Sequence, residues 1–405
     1  MTSVGTPTRL PALAERTGHL ADSAIGAVLR LTGTSDVIPL AAGSPAPETF
    51  CSQEFTEVTT RLLKRDPAAL QYGDASGLPA LRSWIAAQVP TASGRSYEAD
   101  RVLLTHGSQQ GLDLLCKALL DPGDVVVVDR PSYLGALQVF RLFQARVVDI
   151  PIGSDQGLSR LEAVLAAEPR IKIIYVVPAF ANPTGASLTA PRRDRLADLA
   201  ERYACVLVED DPYRELHYDP PARPLSATPP SENTVRMGSF SKVLFPAARL
   251  GYVIAPPSLV DVLMKFKQAA DLGNSHLIQG VVHELVRDSA FLAAQLDRAR
   301  GIYRERRDAL VSALTGAFGS ILDFEVPHGG FFVWAGFPRG TDTTRLLPAA
   351  LEEGVSYVPG SDFYATDPDR TTLRLSFSCA RAEDMPEAVE RLARAWHNSI
   401  EDRRE

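Results

Sequence analysis

The sequence predicts an α/β protein: a mostly parallel central sheet with helices on both faces, followed by a smaller α+β domain. Three observations predict it. Between residues 100 and 255, short apolar runs alternate with segments of helical period. Those runs are continuous in Val and Ile, which suits strands covered on both faces. Beyond residue 288 a long charged helical stretch leads into two further strands and a closing helix, the pattern of a second, smaller unit.

The elements follow in order. Residues 13–32 read as helix, with Ala24, Ile25, Val28 and Leu31 spaced for one apolar face. IPLAAGSPAPETF, at 38–50, then breaks into a Gly/Pro-rich loop, and residues 78–88 read as helix again. VLLTH at 102–106 is a strand. It leads to a helix at 111–120 with Leu112, Leu115, Cys116 and Leu119 on one face. Residues 125–129, 145–150, 173–178, 205–210, 235–240 and 250–255 are strand-like. In open sheets of this kind ligands bind at the carboxyl ends of the strands. Residues 288–317 read as one long helix, 331–337 and 372–378 as strands, and 384–397 as the last helix. The expected organisation is an arm at 1–45 belonging to the small domain, a large domain at 46–290 and a small domain at 291–405.

Hydrophobic residues make up 45% of the 405 and charged residues 22%, an ordinary balance for a soluble globular chain with a sizeable core. The net charge of -7 argues against non-specific nucleic-acid binding, which needs clustered cations. Cys51, Cys116, Cys205 and Cys379 lie far apart with no Cys/His cluster, so no metal site is expected. Cys116 and Cys205 read as core thiols. No signal-peptide core and no run of membrane-span length is present, so a cytoplasmic protein with reduced thiols and no membrane partner is expected. Lysine occurs only at 64, 117, 172, 242, 265 and 267, which makes each one easy to weigh.

Several strings at strand ends carry chemistry. Ser239-Phe-Ser241-Lys242, with Arg249 shortly after, joins an amine able to form an imine with an aldehyde cofactor to hydroxyls and a planar cation suited to phosphate. Asp210 suits the protonated pyridine nitrogen of pyridoxal phosphate through opposite charge, and the Tyr213 phenol suits that ring's oxygen. Asn182, in Asn-Pro-Thr-Gly, offers an amide donor to the same oxygen. Gly107-Ser108-Gln109-Gln110 lies between a strand and a helix, where free backbone N–H groups receive phosphate. It is neither a Walker loop nor G-x-G-x-x-G, so nucleotide binding gains no support. Arg374 alternates with apolar neighbours and has the fork that fits a substrate carboxylate. Tyr133 and Tyr72 are candidates for ring stacking and for reaching phosphate. Alone, each string also fits a plain turn, a helix cap, an outward charge or a packing residue. His106 and His328 are given no role.

Taken in this order, Gly43, Tyr72, Ser108, Gln109, Tyr133, Asn182, Asp210, Tyr213, Ser239, Ser241, Lys242, Arg249 and Arg374 resemble the fold type I, class I/II pyridoxal-phosphate aminotransferases. The likeness is greatest in the kynurenine/2-aminoadipate aminotransferase branch, and it spans nearly the whole chain. The resemblance implies pyridoxal 5'-phosphate held as a Schiff base by Lys242, which also moves the proton between the substrate Cα and the cofactor. It implies that Asp210 holds the pyridinium, and that Asn182 and Tyr213 bond the ring oxygen. Tyr133 would stack on the ring, while Ser108, Gln109, Ser239, Ser241 and Arg249 bind phosphate. Arg374 would take the substrate carboxylate, with Gly43 beside the substrate. It implies a homodimer in which Tyr72 reaches the partner subunit's phosphate. The implied reaction passes an amino group from an α-amino acid to a 2-oxo acid by a ping-pong route through pyridoxamine phosphate. The same lysine and aspartate also serve lyases, decarboxylases and oxidases, so that alternative stays open. The acidic balance argues against a DNA-binding regulator built on the same cofactor domain. Two departures stand out. Ala181 replaces a glutamine common before Asn182. Gly26 stands where aminoadipate-type relatives tend to carry an arginine, which weakens the case for an acidic substrate side chain.

Overall fold

The computed structural model describes residues 12–19, 36–89, 96–219 and 231–401. A short strand β1 (Ile38–Pro39) precedes helices α1 (Ser52–Arg65) and α2 (Pro79–Gln88). Then strands and helices alternate: β2 (Val102–Thr105), α3 (Gly107–Leu119), β3 (Val125–Asp129), α4 (Leu134–Leu142), β4 (Arg146–Ile150), α5 (Asp155–Ala167), β5 (Ile171–Val176), α6 (Ala190–Arg202), β6 (Val206–Asp210), β7 (Thr234–Ser239) and β8 (Gly251–Ile254). These strands form one seven-stranded sheet in the order β2-β8-β7-β6-β5-β3-β4. β8 runs antiparallel to both neighbours, and every other pairing in the sheet is parallel. Val125–Val128 are fully buried, as are Ile173, Ile174 and Tyr175 on β5. Burial on both faces is why these strands read as unbroken apolar runs.

Helices α7 (Pro257–Asp271), α8 (His276–Arg287) and the 30-residue α9 (Ser289–Phe318) follow, then β9 (Asp323–Phe324), β10 (Phe332–Gly336), α10 (Thr343–Glu352), β11 (Val355–Ser356), β12 (Val358–Pro359), β13 (Thr372–Ser376) and α11 (Met385–Glu401). A second sheet, antiparallel and ordered β12-β13-β10-β9, lies in this part, and β1 pairs in parallel with β11. One apolar core runs from Val126, Val128 and Tyr175 of the large sheet to Phe332, Val333 and Leu375 of the small one. The two sheets therefore meet across packed side chains rather than across a solvent gap. Cys51, Cys116 and Cys205 are buried free thiols. No helix among the described residues is long and apolar enough to cross a membrane.

Several elements differ from the sequence reading, which has no helix at α7, α8 or α10. Helix α1 was not expected, although Val58 and Leu62 bury its inner face. Helix α3 begins at Gly107 rather than residue 111, because Gly107 adopts φ +72° and the helix starts directly at the end of β2. Of the helix read over 13–32, the described part is a 3-10 turn, Glu15–His19; the remainder, Gly26 included, lies outside the described residues.

Candidate active site

Of the thirteen residues to which the resemblance assigns a role, all except Tyr72 line one cavity of about 330 Å3, at the carboxyl ends of the parallel strands and against the small sheet. Asp210 is the last residue of β6. Side chains alternate across a strand, so Glu209 points to the far face and Asp210 to the cavity. Asp210 is buried. Its Oδ2 accepts the Tyr175 hydroxyl at 2.9 Å, while its Oδ1 has no hydrogen-bond partner. Burial pushes its pKa up to about 7; the Tyr175 bond opposes the rise, the neighbouring Asp211 charge adds to it, and the nearby Ser108 hydroxyl opposes it more weakly. A buried carboxyl with one oxygen unmet fits a cationic N–H partner.

Lys242 follows β7. Its Nζ donates to the Gly43 carbonyl at 3.1 Å and lies 5.6 Å from the Phe331 ring centre. Desolvation pulls the amine down to about 8, with Cys379 opposing and the Arg374 and Arg249 charges adding. An amine so lowered supplies a neutral, nucleophilic fraction near neutral pH. Gly43 is glycine for space: a Cβ there would stand 2.6 Å from the Phe332 ring.

The N-terminus of α3 faces the same cavity through Gly107, Ser108 and Gln109, and no side chain of His106 caps it. Its first-turn N–H groups are thus open donors at the positive end of the helix. Ser239, Ser241 and Arg249 line the wall beside them. Arg249 sits in the left-handed region at φ +44° and donates to the His106 carbonyl at 3.3 Å. A non-glycine residue held there stores strain of the kind found at functional sites. Open amides, two hydroxyls and a guanidinium together make an anion cradle.

Arg374, central in β13, closes the opposite side. It is buried, donates to Asn182 Oδ1 at 2.7 Å and to the Ala41 carbonyl at 2.6 Å, and lies 4.3 Å from the Phe332 ring centre. Its Nε has no partner. Desolvation lowers it to about 10, still high enough to keep its charge at neutral pH. Because Arg374 takes the Asn182 oxygen, the Asn182 amide nitrogen is left to donate, and it does so to the Tyr213 hydroxyl. The Tyr213 ring meets Phe331 and Phe332 edge-on. Burial pushes the Tyr133 phenol up to about 12, so it stays neutral.

Tyr72 is elsewhere, with 83% of its surface exposed. Sequence reasoning missed Tyr175 and Phe332. Tyr175 carries one weak signal, a phenol inside an otherwise aliphatic strand, whose hydroxyl must find a partner when buried. His106, given no role, supplies the carbonyl that holds Arg249.

The residues present fit pyridoxal 5'-phosphate. Lys242 offers an amine for the aldehyde, Asp210 an unmet carboxyl oxygen for the ring nitrogen, and the cradle a seat for phosphate. A family model described as aminotransferase class I and II matches residues 35–392. The 2-aminoadipate transaminase of Thermus thermophilus is 38% identical over 93% of this chain and 94% of its own. The aromatic-amino-acid aminotransferase 1 of Thermococcus litoralis is 36% identical over 92% and 90%. Among solved structures, an alpha-aminoadipate aminotransferase from Thermus thermophilus, complexed with N-(5'-phosphopyridoxyl)-L-leucine, superposes with a TM-score of 0.85 at 36% identity, covering 96% of this chain and 98% of that one. The chain belongs to the class I and II aminotransferases, and its cofactor is pyridoxal 5'-phosphate.

Proposed function

We propose that the cavity transfers the amino group of an α-amino acid with a neutral side chain to a 2-oxo acid, in two half-reactions with the first product leaving before the second substrate enters. The observation that carries this reading is the meeting of a lowered amine, an unmet buried carboxylate and a buried arginine in one cavity. The relatives named above are aminotransferases, which favours transfer over elimination, decarboxylation or oxidation.

When bound, the cofactor supplies an aldehyde for the substrate nitrogen and an electron sink for the bond broken at Cα. The protein does the rest. Arg374 takes the substrate carboxylate with its fork, exchanging its bond to the Ala41 carbonyl for a charged partner. That grip would fix Cα beside Lys242, whose amine would take the Cα proton and hand it on across the substrate nitrogen to the cofactor's carbon. Asp210 holds a proton on the ring nitrogen. Asn182 and Tyr213 hold the ring oxygen, and Tyr133 covers the ring. Ser108, Gln109, Ser239, Ser241, Arg249 and the α3 amides hold the phosphate. The rest of the wall, which includes Ala41, Ala42, Ser44, Leu134, Val177 and Phe332, offers no charged side chain. Among the described lining residues, the three cations all have other work, so a second carboxylate on the substrate meets no dedicated partner. This supports a neutral side chain.

The same reading makes the protein an isologous homodimer, with Tyr72 serving the partner subunit's phosphate; its 83% exposure and the neighbouring exposed Leu70 support this. The decisive experiment titrates purified protein with a panel of amino acids while following cofactor absorbance. A neutral amino acid should shift the absorbance and a 2-oxo acid should restore it. Lys242→Ala should abolish this cycle, because general acid–base transfer alone is worth ~10²–10⁴-fold and the anchor is lost as well. Ammonia or hydrogen peroxide released at every turnover, or a working Lys242→Ala enzyme, would sink the proposal.

A further inference from the structure

Lys267 lies on α7, outside the cavity, and its side chain is wholly buried. A buried ammonium is tolerated only when its donors are met. Here Nζ donates to both oxygens of Asp271, at 3.1 and 3.0 Å, and to Gln110 Oε1 at 3.0 Å. Asp271 is fixed in turn by the Gly273 N–H at 2.8 Å and approached by His106 Nε2 at 3.3 Å. Gln110 Nε2 also donates to Asp271.

An ammonium only donates, so it decides which way the Gln110 amide points: oxygen toward Lys267, nitrogen toward Asp271. That orientation puts Oε1 on the main-chain N–H of His106 at 2.8 Å. The carbonyl of the same residue is gripped by Arg249. The main chain of His106 is therefore held at both ends, immediately before Gly107 and Ser108 of the cradle. Gln110 satisfies the His106 N–H without occupying the N–H groups that follow it, and these stay directed at the cavity.

We infer that Lys267 is a positioning residue for the cofactor's phosphate: through Gln110 it fixes the peptide before α3, so that the first-turn amides and Arg249 stand ready around an anion. This rests on the phosphate role proposed for the α3 cradle. Lys267 touches neither cofactor nor substrate. Its effect should therefore appear in affinity for the phosphate-bearing cofactor and not in recognition of the ring.

The test measures binding of pyridoxal 5'-phosphate and of pyridoxal, which lacks the phosphate, to cofactor-free protein. In Lys267→Met the affinity for pyridoxal 5'-phosphate should fall at least about tenfold, the order expected when a hydrogen bond to a charged group is lost. Affinity for pyridoxal should stay within about twofold, as should KM for the amino acid at saturating cofactor, since neither contact involves the cradle. Gln110→Leu keeps the Lys267–Asp271 pair and should reproduce the pattern, which covers the case where Lys267→Met does not fold. Equal losses for both ligands in a folded variant, or no loss in either variant, overturn the inference. A wild-type protein that binds pyridoxal as tightly as its phosphate overturns the cradle instead.

Discussion

Glu209 and Asp210 are consecutive residues of β6, both buried, on opposite faces of the same sheet. On the far face Glu209 is fully matched. Arg193 donates to its two oxygens at 2.9 and 3.0 Å, and Arg236 donates to Oε2 at 3.1 Å. On the cavity face Asp210 has the Tyr175 hydroxyl on one oxygen and no partner on the other. The same cost of burying a carboxylate is met in two ways. Two arginines offset it within the fold at Glu209. At Asp210 part of it is left standing, and a pKa near 7 is the sign of that. A carboxylate with both oxygens matched holds the sheet together, even with Arg193 Nη1 beside it unpartnered. A carboxylate with one oxygen unmet holds a place for a ligand.

The contrast breaks most sharply at Glu209. Replacing it with Gln leaves Arg193 and Arg236 buried beside a neutral partner, and removing one member of a buried ion pair typically costs about 3–5 kcal/mol. Glu209→Gln should lower the thermal midpoint strongly while turnover per folded molecule stays near wild type. An unchanged midpoint would mean that the far-face network is not structural. Asp210→Asn should do the reverse. Losing one preorganised electrostatic contact costs ~10²–10³-fold in turnover, and the fold should not suffer. In cofactor-free protein it should gain, in a stated pH window. The folded carboxyl titrates near 7 and the ordinary value is 3.8, so between these the folded chain holds a proton that the unfolded chain has lost. Wild-type stability therefore falls as pH rises from about 4 to 7, relative to Asp210→Asn. The difference in midpoint should be near zero at pH 4 and largest above pH 7. A difference that shrinks with rising pH would show that Asp210 is not held up by burial.

Sequence made the cavity face far more legible than the far face. Asp210, Ser239 and Lys242 each sit in a short string with a neighbour that lines the same cavity, because strand ends deliver adjacent residues to one place. Unbroken runs such as VVVVD announced buried strands for a similar local reason. The network around Glu209 joins residues 193, 209 and 236, and nothing local in any of the three segments points to the others. Lys267 and Gln110 are likewise brought together only by the packed fold. Helix α1 was missed although Phe55, Val58 and Leu62 stand at helical spacing and pack inward; β-branched Val58, Thr59 and Thr60 lower its intrinsic helix preference. Gly107 was placed ahead of the helix, and its positive φ is what lets α3 begin there, at the strand end, and present its amides.

Tyr175 lies between the two regimes, and removing its hydroxyl is the mildest way to sharpen them. Tyr175→Phe keeps the ring, which packs edge-on against Phe140 at 5.6 Å, and deletes only the bond to Asp210 Oδ2. Asp210 then loses the largest influence opposing its burial and keeps only the weaker one of Ser108, so its carboxyl should titrate higher still in the cofactor-free protein. A hydrogen bond to a charged group is worth about 1.5–3 kcal/mol, which sets the expected loss in kcat/KM at roughly tenfold to a hundredfold, smaller than for Asp210→Asn. The pH below which cofactor-free protein gains stability should move upward relative to wild type, since the group now releases its proton later. The two effects are linked: if Tyr175 acts through Asp210, the double variant with Asp210→Asn should lose little beyond Asp210→Asn alone. Additive losses in that double variant would mean that Tyr175 serves packing on β5 and leaves Asp210 to its burial.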